Sequence, residues 1–86
     1  MPEISRFFGI VIRMFYDDHD PPHFHAIYAG QQAIIGIRDL VVLRGQLPPR
    51  ALGLVMEWAT QHRDDLMDDW RLAREQAPLR AISPLE

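Results

Sequence analysis

The run Leu47-Pro48-Pro49 divides this 86-residue chain into two halves with different periodicities. Before it, β-branched and aromatic residues cluster in short stretches with period two. After it, apolar residues recur at i, i+3, i+4 and i+7. Proline is tolerated in the first turn of a helix but not in its interior, so the pair marks a helix start and closes the strands before it. The order predicts an α+β fold: a three- or four-stranded antiparallel meander followed by two C-terminal helices packed on one face.

Phe7 to Tyr16 (FFGIVIRMFY) reads as the first strand, with Phe8, Ile10, Ile12, Met14 and Tyr16 on one face and Phe7, Gly9, Val11, Arg13 and Phe15 on the other. Arg13 then stands near a partly buried surface and needs an acidic or phosphate partner. His23 to Ala29 is the second strand and Gln32 to Arg38 the third, joined through Gly30-Gln31. The connections are too short for crossovers, so the strands are antiparallel. Val41 to Arg44 is a short fourth strand after a turn at Asp39-Leu40.

In the second half, Ala51, Leu52, Val55, Met56, Trp58 and Ala59 form the apolar stripe of a helix over Arg50–His62. A break at 62–64 separates it from a second helix, Asp65–Gln76, with Asp64 as its N-cap. His62 belongs to the first helix's C-terminal turn, a structural place for an imidazole. Trp58 and Trp70 fall in apolar stripes and read as core anchors. The acids of 64–69 read as a solvated helix face, and Leu79–Glu86 as an extended tail tied down by Leu79, Ile82 and Leu85.

A chain of this length is one domain, 1–86, with a single small core. It has no cysteine, which excludes disulfides and thiolate metal sites. No apolar run reaches the ~20 residues of a membrane helix, and the expected location is cytoplasmic. A net charge of −3 weighs against a free-standing nucleic-acid binder. All nine basic residues are arginine, whose planar fork suits phosphate and carboxylate, although a GC-rich genome gives the same composition.

Chemistry concentrates in Asp17-Asp18-His19-Asp20-Pro21-Pro22-His23-Phe24-His25, which holds three of the four histidines and three acids. The two prolines stiffen the segment. Residues two apart on a strand leave the same face with Cα atoms ~6.5 Å apart, so His23 and His25 can address one small guest. One reading makes His19, His23 and His25 ligands of a divalent metal such as zinc, with Asp17, Asp18 or Asp20 able to complete the set. A second makes His23 and His25 the acid and base of metal-independent RNA cleavage, with Arg13 or Arg38 as the cation for the phosphorane. The acids of the loop oppose that second reading by repelling phosphate. A third leaves the rings bonded to loop carboxylates and carbonyls, fixing the turn.

ISRFFGIVIRM (4–14), DDHDPPHFHA (17–26), LPPRALGLVMEWA (47–59) and the DDWRLAR and PLRAI segments together resemble the small prokaryotic family catalogued as domain of unknown function 4160. Arg38-Asp39-Leu40 departs from the Gly-containing turn that relatives tend to have there. The resemblance implies a short protein paired with a cognate small protein from a neighbouring gene, of the type numbered 2442, in a toxin–antitoxin-like arrangement. The element order is also similar to that of the HicA-type mRNA interferases. From these follow two expectations: a toxin-like component with RNA-cleaving or RNA-binding activity centred on His19, His23 and His25, or a non-enzymatic interaction module whose loop binds metal or is structural. An exposed sheet edge in so small a domain also favours a homodimer.

Overall fold

A computed structural model describes residues 2–86. Five antiparallel strands, β1 (Glu3–Phe7), β2 (Ile10–Arg13), β3 (His23–Tyr28), β4 (Gln31–Gly36) and β5 (Val42–Gly45), lie in sheet order β1-β2-β3-β4-β5. Two helices follow, α1 (Pro49–Gln61) and α2 (Arg63–Arg74). The fold is α+β with a meander sheet, and it has one strand more than the sequence predicts. The difference lies in the first expected strand, which is a hairpin. Phe8 and Gly9 take φ of 50° and 79° and turn the chain between β1 and β2. Ala29 and Gly30 repeat the device at 50° and 81° between β3 and β4. Positive φ at both central residues gives the primed turn whose twist matches paired strands.

Register sorts the side chains. Ser5, Ile12, Ala26 and Ala33 stand opposite one another across four strands, and all four are buried. They share the covered face with Phe7, Ile10, Phe24 and Ile35. Onto this face the helices bring Ala51, Val55, Trp58 and Ala59 from α1 and Leu66, Trp70 and Ala73 from α2. The alternate row, Arg13, His25, Ile34 and Arg44, crosses the face that carries no helix.

The helix starts follow proline and backbone geometry. Pro48 caps α1 with Pro49 at its first position. His62 ends α1 and begins α2 without a side-chain cap, so Asp64 lies in the first turn of α2 and not at the expected N-cap. There Asp64 and Asp65 still favour the helix dipole. The C-terminal tail closes the structure along β1: the Ile82 N–H donates to the Ile4 carbonyl at 2.7 Å, and the Ser83 carbonyl accepts from Trp58 Nε1–H at 2.8 Å.

Asp69 departs from the expected solvated acidic face. It is 1% exposed, its Oδ1 accepts the Arg80 N–H at 2.9 Å, and its Oδ2 has no hydrogen-bond partner. Burial pushes its pKa up, Asp65 and Asp68 push the same way, and the Arg80 N–H opposes them. A carboxyl whose folded pKa is raised gives its full contribution at acid pH and loses it as pH rises through the folded pKa. Wild type should therefore lose stability relative to Asp69→Asn as pH rises from below the ordinary carboxylate range through the raised folded pKa, then hold a constant difference; urea unfolding of both at a series of pH values measures it.

Gly45 is required by space as well as by its φ of 78°. A Cβ there would enter the van der Waals shell of the Gln32 carbonyl oxygen and come within 3.3 Å of the Ala33 Cα. These are backbone atoms that cannot rotate away. Gly45→Ala should lower unfolding free energy by about 2 kcal/mol or more in the same assay.

Candidate functional site

His23 opens β3 and His25 follows two residues on, so the strand's period turns both rings to the same side, with centroids 5.4 Å apart, and His23 at the strand's start also meets Trp70 of α2. The loop between β2 and β3 folds back over them. Asp18 Oδ2 lies 3.1 Å from His23 Nε2 and 3.2 Å from His25 Nε2, so one carboxylate oxygen is the common neighbour of both rings. The loop is held at two points: the Pro22 carbonyl accepts the Ile37 N–H at 3.0 Å, and Arg74 of α2 reaches Asp20 at 3.4 Å.

The far side of each ring is also engaged. His23 Nδ1–H donates to the Pro21 carbonyl at 2.7 Å, and His25 Nδ1 meets the Gln32 side-chain amide at 3.3 Å. Phe15 and His25 form a T-shaped pair with centroids 4.5 Å apart, and Trp70 lies against His23 at 5.1 Å. His25 is buried, and His23 and Asp18 are partly so. Burial lowers the His25 pKa and the nearby His23 adds to that, while the Asp18 carboxylate pulls it back up.

Of the residues singled out from sequence, His23 and His25 come together and Asp18 joins them. His19 is exposed and stands outside the Asp18–His23–His25 group. Arg13 lies directly opposite His25 in register, with its Nε buried and without a hydrogen-bond partner. Arg38 is exposed in the turn after β4. Gln32 and Trp70 were not visible as site residues: one is a polar strand residue, and the other reads as core, which it also is. His62 lies far along the chain, bonded through Nδ1 to Asp65 at 3.2 Å and packed on Trp58.

Two imidazoles and a carboxylate with ligand atoms within 4.8 Å of one another can hold a cation. They are less suited to acid–base exchange with a bound substrate, because both Nε2 atoms face Asp18.

These features define a small α+β protein with a one-sided sheet and a histidine-carboxylate loop on its open face. The chain belongs to the family described as Domain of unknown function (DUF4160), whose model matches residues 9–71. That span takes in the histidine loop, β3 to β5, α1 and most of α2. No curated protein and no solved structure matches the chain.

Asp18 is the shared partner of two enclosed nitrogens, so Asp18→Ala should cost about 1–3 kcal/mol of stability in chelator-treated protein. Urea unfolding checks this, with His19→Ala expected to be neutral.

Proposed function

We propose that this chain is a non-enzymatic interaction module, one half of a toxin–antitoxin-like pair, and that it meets a small partner protein by accepting an added β-strand on β5. The observation that carries the reading is the contrast between the sheet's two edges. The outer edge of β1 is engaged by the chain's own tail through Ile82. β5 is the last strand on the other side and is exposed along its whole length. Val41, Val42 and Leu43 are 43%, 39% and 44% exposed, and with Phe8 they are the exposed large hydrophobics among the described residues.

Chemistry narrows the partner. Arg38 and Arg44 flank these aliphatics and form no ion pair among the described residues, and Asp39 is the one acid in 38–45. An extended segment with alternating aliphatic side chains and a flanking acid suits such an edge: main-chain hydrogen bonds supply affinity, and the charges fix register. The engagement of both Nε2 atoms by Asp18 supports a binding role over RNA cleavage.

The test is a calorimetric titration of this protein with the small protein encoded beside it, of the type numbered 2442. Leu43→Lys and Arg44→Glu should each weaken the complex at least about tenfold, and His19→Ala should not. Absence of a complex, or one indifferent to both β5 substitutions, overturns the reading. RNA cleavage by purified protein in chelator, abolished by His23→Ala, would replace it with a metal-independent endoribonuclease using His23, His25 and Arg13.

A further inference from the structure

We propose that Asp18, His23 and His25 form a binding site for one divalent cation of the zinc class, with three protein ligands and at least one further coordination position open to water or another donor. The inference concerns the isolated chain and stands independently of any partner at β5.

Its first support is a count of hydrogens. A carbonyl oxygen can only accept, so the 2.7 Å contact with Pro21 places a proton on His23 Nδ1. In the neutral ring Nε2 is then a bare lone pair, and it lies 3.1 Å from a carboxylate oxygen that is itself only an acceptor. Two acceptors do not face each other at that distance without a proton or a cation between them. A second proton on the ring would serve, and so would a metal. No arginine pairs with Asp18 among the described residues, where the histidines are its only ionic neighbours.

Distance and second neighbours are compatible with a metal. Zinc sits about 2.0–2.2 Å from imidazole nitrogen and carboxylate oxygen, which puts tetrahedral ligand atoms roughly 3.3–3.5 Å apart. Asp18 Oδ2 is already 3.1 and 3.2 Å from the two Nε2 atoms. A ligating histidine usually donates its other N–H to a carbonyl or carboxylate, which fixes the ring. His23 does this with Pro21, and His25 does so if the Gln32 amide turns over to accept through Oε1. Phe15 and Trp70 wall the rings with apolar surface that limits competing water.

Donor chemistry sets the class of ion. Two imidazoles and one carboxylate, without sulfur, suit zinc, nickel or cobalt(II) better than calcium or magnesium, which prefer all-oxygen shells. Bound there, the ion would join the β2–β3 loop to β3 through Asp18 and the two histidines.

The experiment is a calorimetric titration of zinc chloride into the full chain after chelator treatment, with magnesium chloride as the control. One equivalent of zinc should bind with a dissociation constant of about a micromolar or tighter, and magnesium should not. Asp18→Asn, which keeps the side chain's shape, and His23→Ala should each weaken zinc binding more than about tenfold. His19→Ala should leave it unchanged. Because buried variants can fail to fold, nitrogen-15 imidazole spectra of the wild type give a second readout. Zinc should shift Nε2 of both His23 and His25 while Nδ1 keeps its proton. No zinc binding, zinc binding that survives Asp18→Asn, binding lost only in His19→Ala, or spectra in which Nε2 does not move would each overturn the site.

Discussion

A sheet with helices on only one side has to bury one face and leave the other to find different partners, and the placement of chemistry in this chain follows from that constraint. Period two along the strands sends Ile10, Ile12, Phe24, Ala26, Ala33 and Ile35 inward to Trp58 and Val55. It therefore sends Arg13, His25, Ile34 and Arg44 outward in one continuous row. A buried polar side chain within the helix-covered layer would need satisfaction from an apolar packing. On the open face the loop of residues 14–22 can fold back and supply it. The histidines are thus semi-enclosed because a loop covers them, while the carbonyl and carboxylate of that loop remain available as partners.

Much of this was legible in the sequence where periodicity controls direction. The strands at 23–28 and 31–36 and the two helices follow from alternation and from the i, i+3, i+4 stripe, and the His23/His25 pairing follows from strand spacing. The missed hairpin has a physical reason. Primed turns advertise themselves through Asn-Gly or Asp-Gly, and here the first central residue is Phe8, which is 60% exposed at a φ of 50°. An aromatic at that position makes FFGIV look like uninterrupted strand. Asp69 was hidden for another reason. In an acidic run nothing distinguishes a carboxylate bonded to a backbone N–H eleven residues later, because that partner belongs to the tail's path across the core.

The loop marks the limit of pattern reading. Asp17, Asp18, His19 and Asp20 have no repeating geometry, so the sequence could propose a third group to join His23 and His25 but could not choose among them. The choice rests on backbone details: a turn at 16–17, anchoring of Pro22 by the Ile37 N–H, and the Arg74–Asp20 contact. Together they turn Asp18 inward and leave His19 in solvent. Trp70 takes part for a similar reason. Its place in the α2 stripe predicts burial, but contact with His23 depends on how far α2 runs along the sheet.

The open row also bears on whether the loop and the β5 edge act on each other. Strands in a sheet lie about 4.8 Å apart, so His25 on β3 is roughly 10 Å from Arg44 on β5 and roughly 14 Å from any strand added beyond it. A side chain on such a strand cannot reach the Asp18–His23–His25 group directly. Between them lie Ile34, which stands between His25 and Arg44 in the row, and Gln32, whose side-chain amide meets His25 Nδ1 and whose carbonyl accepts the Gln46 N–H at 3.1 Å just beyond β5. A cation at the loop changes charge where Ile34 carries none, whereas Gln32 meets the His25 ring through its polar amide. Gln32 is therefore a polar bridge between the histidine pair and the chain that leaves β5, while the apolar Ile34 carries none of that contact.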